Sequence, residues 1–124
     1  MLNKKAFTLV EILVVIIIVG ILAALALPGY NRTKELTLDR EAKSILALIQ
    51  GAEKIYRMET GDYYTSAVIA DVNTNLKVYL PTTAASWDYT VTNTQSTASR
   101  KPSNSRVWTL THTGSTTTCT GTCL

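Results

Sequence analysis

Glu11 stands alone among apolar side chains. From Phe7 to Leu27 the chain is apolar except for Thr8, Glu11 and the small Gly20. A carboxylate in the first turn of such a segment costs several kcal/mol in lipid, so by default it has a function and a partner. The plain alternative is that Glu11 sits near lipid headgroups and reaches out to water.

Few other residues offer chemistry. Cys119 and Cys123 are the two cysteines, and with an export signal upstream an even count reads as one disulfide made in an oxidising compartment. A metal site needs more ligands than Cys-x3-Cys and the distant His112 provide. The closed loop is short, so the bridge locks the C-terminal turn more than it holds a fold together. His112 is the lone histidine, a situation far more often structural than catalytic. Arg100, Lys101 and Arg106 follow the last acidic residue, Asp88. They form a candidate contact loop for DNA phosphates, although three cations in a Ser/Thr-rich loop more often serve solubility. The lack of carboxylates beyond Asp88 counts against a C-terminal calcium site. There is no nucleotide loop, zinc constellation or Ser–His–acid set, so no enzyme, cofactor or metal is expected. The many Thr and Ser residues between Thr92 and Thr122 are possible acceptors of O-linked sugars on a secreted surface, on composition alone.

The element that carries Glu11 decides the class. A polar leader with Lys4 and Lys5 (residues 1–6) precedes the apolar run. A helix over Phe7–Leu27 is on the order of 30 Å long, enough to cross the hydrocarbon layer. The two lysines hold the leader on the cytoplasmic side. Removing them takes the formal charge from +3 to +1, which is no nucleic-acid signature. Three readings compete: a simple anchor, a secretory signal cut after Ala24-Leu25-Ala26, and a leader removed ahead of Phe7. An ordinary signal has a shorter apolar core and no use for Glu11.

Lys4-Lys5-Ala6-Phe7-Thr8-Leu9-Val10-Glu11, followed by the apolar run with Gly20 and Pro28, resembles the N-terminal signature of type IV pilins and pseudopilins. The resemblance covers roughly the first thirty residues. It implies cleavage by a prepilin peptidase between Ala6 and Phe7, then N-methylation of Phe7. Ala6 departs from the family's usual Gly, and slower cleavage is the expected effect. By the same resemblance the apolar helices bundle in a filament core, where Glu11 neutralises the N-terminal ammonium of a neighbour. An unpaired charge there is costly, so pairing selects one register. Gly20 and Pro28 weaken the helix, and the resemblance implies that the stretch between them can melt in the filament. A plain bend at Pro28 is the competing reading.

Beyond Pro28, Leu38, Ala42, Ile45, Ile49, Ala52 and Tyr56 recur at spacings of four and three, one apolar stripe of an amphipathic helix. The charges between Arg32 and Glu59, Asp39 and Glu53 among them, read as a solvated face. Gly61 is a C-terminal stop, and Asp62-Tyr63-Tyr64 is similar to the segment that opens the loop after the long helix in many pilins. Residues 71–80 are expected to hold a short helix ended by Pro81. Alternation predicts strands over Trp87–Thr92 and Arg106–His112, with Asn93–Ser105 an exposed loop. The aromatics are expected to form a small core on Ile45, Ile49 and Tyr56.

The expected fold is therefore α+β, a long N-terminal α-helix packed on a small antiparallel β-sheet head. The expected parts are a leader (1–6), a transmembrane and polymerisation helix (7–28) and a globular head (29–124). The expected role is a structural filament subunit with copies of itself, the inner membrane, a prepilin peptidase and an assembly platform as partners. It would end in an extracellular pilus or a periplasmic pseudopilus. The alternatives are a type II secretion pseudopilin and, in another class, a tethered DNA-binding module that does not polymerise. The missing C-terminal acids favour the pilus branch, since major pseudopilins are expected to carry a calcium site in the head.

Overall fold

Two periodicities meet without a break in α1 (Leu9–Thr60), a helix of 52 residues. Its first part is apolar all round, and its second carries the stripe. A computed structural model describes residues 6–82, 86–102 and 105–123. The leader residues 1–5, including Lys4 and Lys5, lie outside the described residues, as do Ser103 and Asn104 of the expected loop. The chain divides into two units, Met1–Leu36 and Thr37–Leu124.

In the first unit, the side chains of α1 are exposed on every face, from Leu9 (80% exposed) to Leu27 (63%). α1 is the one described helix long and apolar enough to cross a membrane, with a mean hydropathy of 3.1 over its best window. It stays helical through Gly20 and Pro28.

In the second unit, the remainder of α1 packs on a four-stranded antiparallel sheet. The strands are β1 (Trp87–Val91), β2 (Gln95–Arg100), β3 (Arg106–Thr111) and β4 (Thr118–Gly121), in the order β1-β2-β3-β4. A short helix, α2 (Ile69–Leu76), adds Val72 and Leu76 to the core. The expected α+β architecture is the one observed. α1 stops at Gly61, whose φ of +96° is the left-handed conformation that glycine adopts freely. α2 ends earlier than Pro81: Lys77 closes it at φ 54°, ψ 38°.

β1 and β3 are the two strands expected from alternation, and they bury Trp87, Tyr89 and Val91 on one and Trp108 and Leu110 on the other. β2 corrects the expected loop. It lies within Asn93–Ser105 and pairs with both β1 and β3. Its inward residues are small because its neighbours are large: Ala98 sits between Tyr89 and Trp108 in register. β4, in the Thr-rich tail, also went unanticipated. Gly121 ends it at φ +93°, where a side chain would collide with the Ser105 carbonyl.

The apolar stripe is rotated slightly from the expected one. Ala42, Leu46 and Ile49 are fully buried, while Leu38, Ile45, Ala52 and Tyr56 flank them half-buried. Asp39 and Glu53 belong to the buried face, which corrects their assignment to solvent. Each is held by a partner that only the fold supplies. Asp39 Oδ1 accepts a hydrogen bond from Trp108 Nε1 at 3.0 Å and lies 2.9 Å from Arg106 Nε. Glu53 Oε2 accepts from the Tyr64 amide at 2.9 Å. Burial also pushes the Tyr89 hydroxyl well above its ordinary range, and the charge of Glu41 adds to this.

Candidate functional site

The N-terminal segment is built from the backbone outward. Ala6, Phe7 and Thr8 lie outside the helix, which begins at Leu9. Thr8 caps it: its hydroxyl oxygen accepts a hydrogen bond from the Glu11 amide at 3.2 Å. The Thr8 carbonyl accepts from the amides of Glu11 and Ile12 at 3.2 and 3.3 Å. Thr8-Leu9-Val10-Glu11 thus has the spacing of a capping box, with Glu at the third helical position. The carboxylate of Glu11 also sits where the positive end of the helix dipole favours a negative charge.

Glu11 is exposed, and among the described residues it forms no ion pair. Around it Val10, Ile12, Leu13 and Val14 are between 45% and 66% exposed. A helix this apolar on every face needs lipid or other helices around it. Downstream, Pro28 lacks the amide that would bond to Ala24, and the Thr33 hydroxyl donates to the Gly29 carbonyl at 3.0 Å.

The C-terminal residues sort differently. Cys119 and Cys123 form the expected disulfide, with Cα atoms 6.1 Å apart. It closes on β4, beside Thr122, whose amide donates to the Ser105 carbonyl at 2.8 Å. The expected basic contact loop of Arg100, Lys101 and Arg106 is not one surface. Arg106 opens β3, is 5% exposed and pairs with Asp39. Arg100 donates to the carbonyls of Ser86 and Lys101 at 2.9 and 2.8 Å. Lys101 pairs with Asp88 at 2.6 Å. Arg106 is thus engaged within the head and Arg100 against its backbone, while Lys101 pairs with Asp88 on the exposed surface.

His112 has a structural place. It is buried, its Nε2 lies 2.7 Å from the Thr92 carbonyl, and its ring stacks on Tyr63 at 4.5 Å. Among the described residues no group of three or more His, Cys, Asp or Glu could hold a metal ion. One groove of about 540 Å³ opens on the second unit, lined by Ala47, Leu48, Gly51, Ala52 and Ile55 of α1 and by Leu76, Lys77 and Val78.

Comparison with known proteins bears on the N-terminal segment. Residues 1–27 match the family described as the prokaryotic N-terminal methylation motif. The chain thus carries this motif over its first 27 residues. It is similar to the type II secretion system core protein G of Klebsiella pneumoniae, at 36% identity over 64 residues, 52% of this chain and 46% of that protein. It is similar to the type IV major pilin protein PilA of Myxococcus xanthus, at 36% identity over 61 residues, 49% of this chain and 28% of that protein. The competence protein ComGC of Streptococcus pneumoniae matches at 33% identity over 58 residues, 47% of this chain and 54% of that protein. The chain thus spans about half or less of the length of these relatives. No solved structure matches.

Proposed function

We propose that this chain is a structural subunit of a type IV pilus-like filament, assembled through the apolar part of α1. The observation that carries this is the exposed apolar helix with one carboxylate in its first turn, in a segment that matches the methylation motif. In this reading residues 1–6 are a leader, a prepilin peptidase cuts between Ala6 and Phe7, and Phe7 is N-methylated. Residues 7–28 then polymerise and residues 29–124 form the head.

Glu11 pairs with the N-terminal ammonium of a neighbouring copy. Two charges that are each costly in an apolar core become tolerable together, and only one register brings them together. Gly20 and Pro28 bound the stretch that can yield under tension. The precursor waits in the inner membrane for an assembly platform and leaves it as an extracellular pilus. The role is structural, not catalytic.

A second reading, a periplasmic pseudopilus subunit, is favoured by the relatives named type II secretion system core protein G. Intact mass and N-terminal sequencing of protein from membranes and from a sheared surface fraction test both. A chain starting at N-methylated Phe7 in the sheared fraction supports the pilus. The same chain confined to membranes and periplasm supports the pseudopilus. A chain starting after Ala26 overturns both.

A further inference from the structure

Thr8 stands between the proposed scissile bond and the first residue of α1. Its hydroxyl and its carbonyl both take up amide hydrogens of the first helical turn. A residue in that role has non-helical backbone angles and sets where the helix begins. Ala6 and Phe7, directly before it, are outside the helix. The next residue upstream of a type that caps helices is Asn3. A helix begun there would take in Ala6 and Phe7 and shut the bond between them inside its own hydrogen-bond ladder, and a peptide bond so enclosed is cut only after local opening.

We propose that Thr8 is a positioning residue for processing: its hydroxyl ends α1 short of the Ala6–Phe7 bond and keeps that bond in an open, non-helical segment for the peptidase. The proposal rests on the reading that the chain is cut there. The cut adds water across the amide, leaving a carboxylate on Ala6 and an ammonium on Phe7. A cap of ordinary strength shifts a helix-start equilibrium about fivefold, so the effect on cleavage should be of that order.

The test follows conversion of the full-length precursor to the shorter chain by intact mass, in membranes that contain a prepilin peptidase. Thr8→Val keeps the shape and lacks the hydroxyl, and should be cut about fivefold more slowly than the native chain. Thr8→Ser restores the hydroxyl and should be cut at the native rate. Thr8→Val with Asn3→Ala removes the upstream cap as well and should recover most of the lost rate. Native-rate cleavage of Thr8→Val overturns the proposal. So does slow cleavage of Thr8→Ser, which would mean that the peptidase reads the threonine side chain itself. A native chain left uncut at Ala6–Phe7 overturns the underlying reading instead.

Discussion

The Asp39 carboxylate and the Arg106 guanidinium meet at 2.9 Å with only 6% of each side chain exposed, joining α1 to the first residue of β3. Trp108 adds its indole N–H to the same carboxylate oxygen. Removing one member of a buried pair strands the other charge. Asp39→Ala should therefore lower head stability by about 3–5 kcal/mol. Replacing both, with Asp39→Leu and Arg106→Met, should cost far less. Denaturant unfolding of the full chain in detergent measures both, and equal losses would show that the pair as such is not what matters.

Glu53 makes stability depend on pH. Burial raises its carboxyl above the ordinary 4.5, and the bond from the Tyr64 amide opposes this more weakly. The folded state therefore holds the proton more tightly than the unfolded chain. Its contribution is fully present below the unfolded value and is lost as pH rises through the folded one. Glu53→Gln keeps an acceptor for Tyr64 and cannot ionise. The native chain should lose thermal stability relative to Glu53→Gln from about pH 4 upward. A difference that stays flat with pH would rule this out.

Two glycines should respond in opposite senses. A methyl at Gly51 meets nothing within 4 Å, and glycine inside a helix costs roughly 1 kcal/mol against alanine. Gly51→Ala should raise the midpoint of unfolding, for a gain in stability of about 1 kcal/mol. At Gly121 a methyl would run into the Ser105 carbonyl on a backbone of φ +93°. Gly121→Ala should lower it, loosening β4 and the turn that the disulfide closes.

Glu11→Ala should leave the unfolding midpoint of the head unchanged, because Glu11 belongs to the other unit of the chain, yet abolish or disorder filaments. Electron microscopy of sheared fractions reads the outcome, and normal filaments from this variant would sink the pairing argument.

How much of this was legible beforehand depended on whether a residue's role is local. The apolar run, the stripe of α1 and the alternation of β1 and β3 are local patterns; the run and the two strands lie where expected, and the stripe is rotated only slightly. The threonine cap is local too: Thr8-x-x-Glu11 is written in the sequence and could have been read as a capping box. β2 was hidden because its buried positions, Ser96 and Ala98, carry no apolar alternation. Ala98 lies in register between Tyr89 and Trp108, and Ser96 between Val91 and Leu110, so their small size answers to larger residues on the strands beside them. Asp39 and Glu53 looked like solvent-facing charges because their partners, Arg106, Trp108 and the Tyr64 amide, lie 11 to 69 residues away.

Every hydrogen-bonded neighbour in the sheet is also the next strand along the chain. A meander of this kind asks each strand to find only the one just made, so the search is short and the folding rate high for its size. It also draws every strand from a single copy. The head can therefore be finished before any neighbour arrives, and joining a polymer would add contacts to its outside without reopening its ladder.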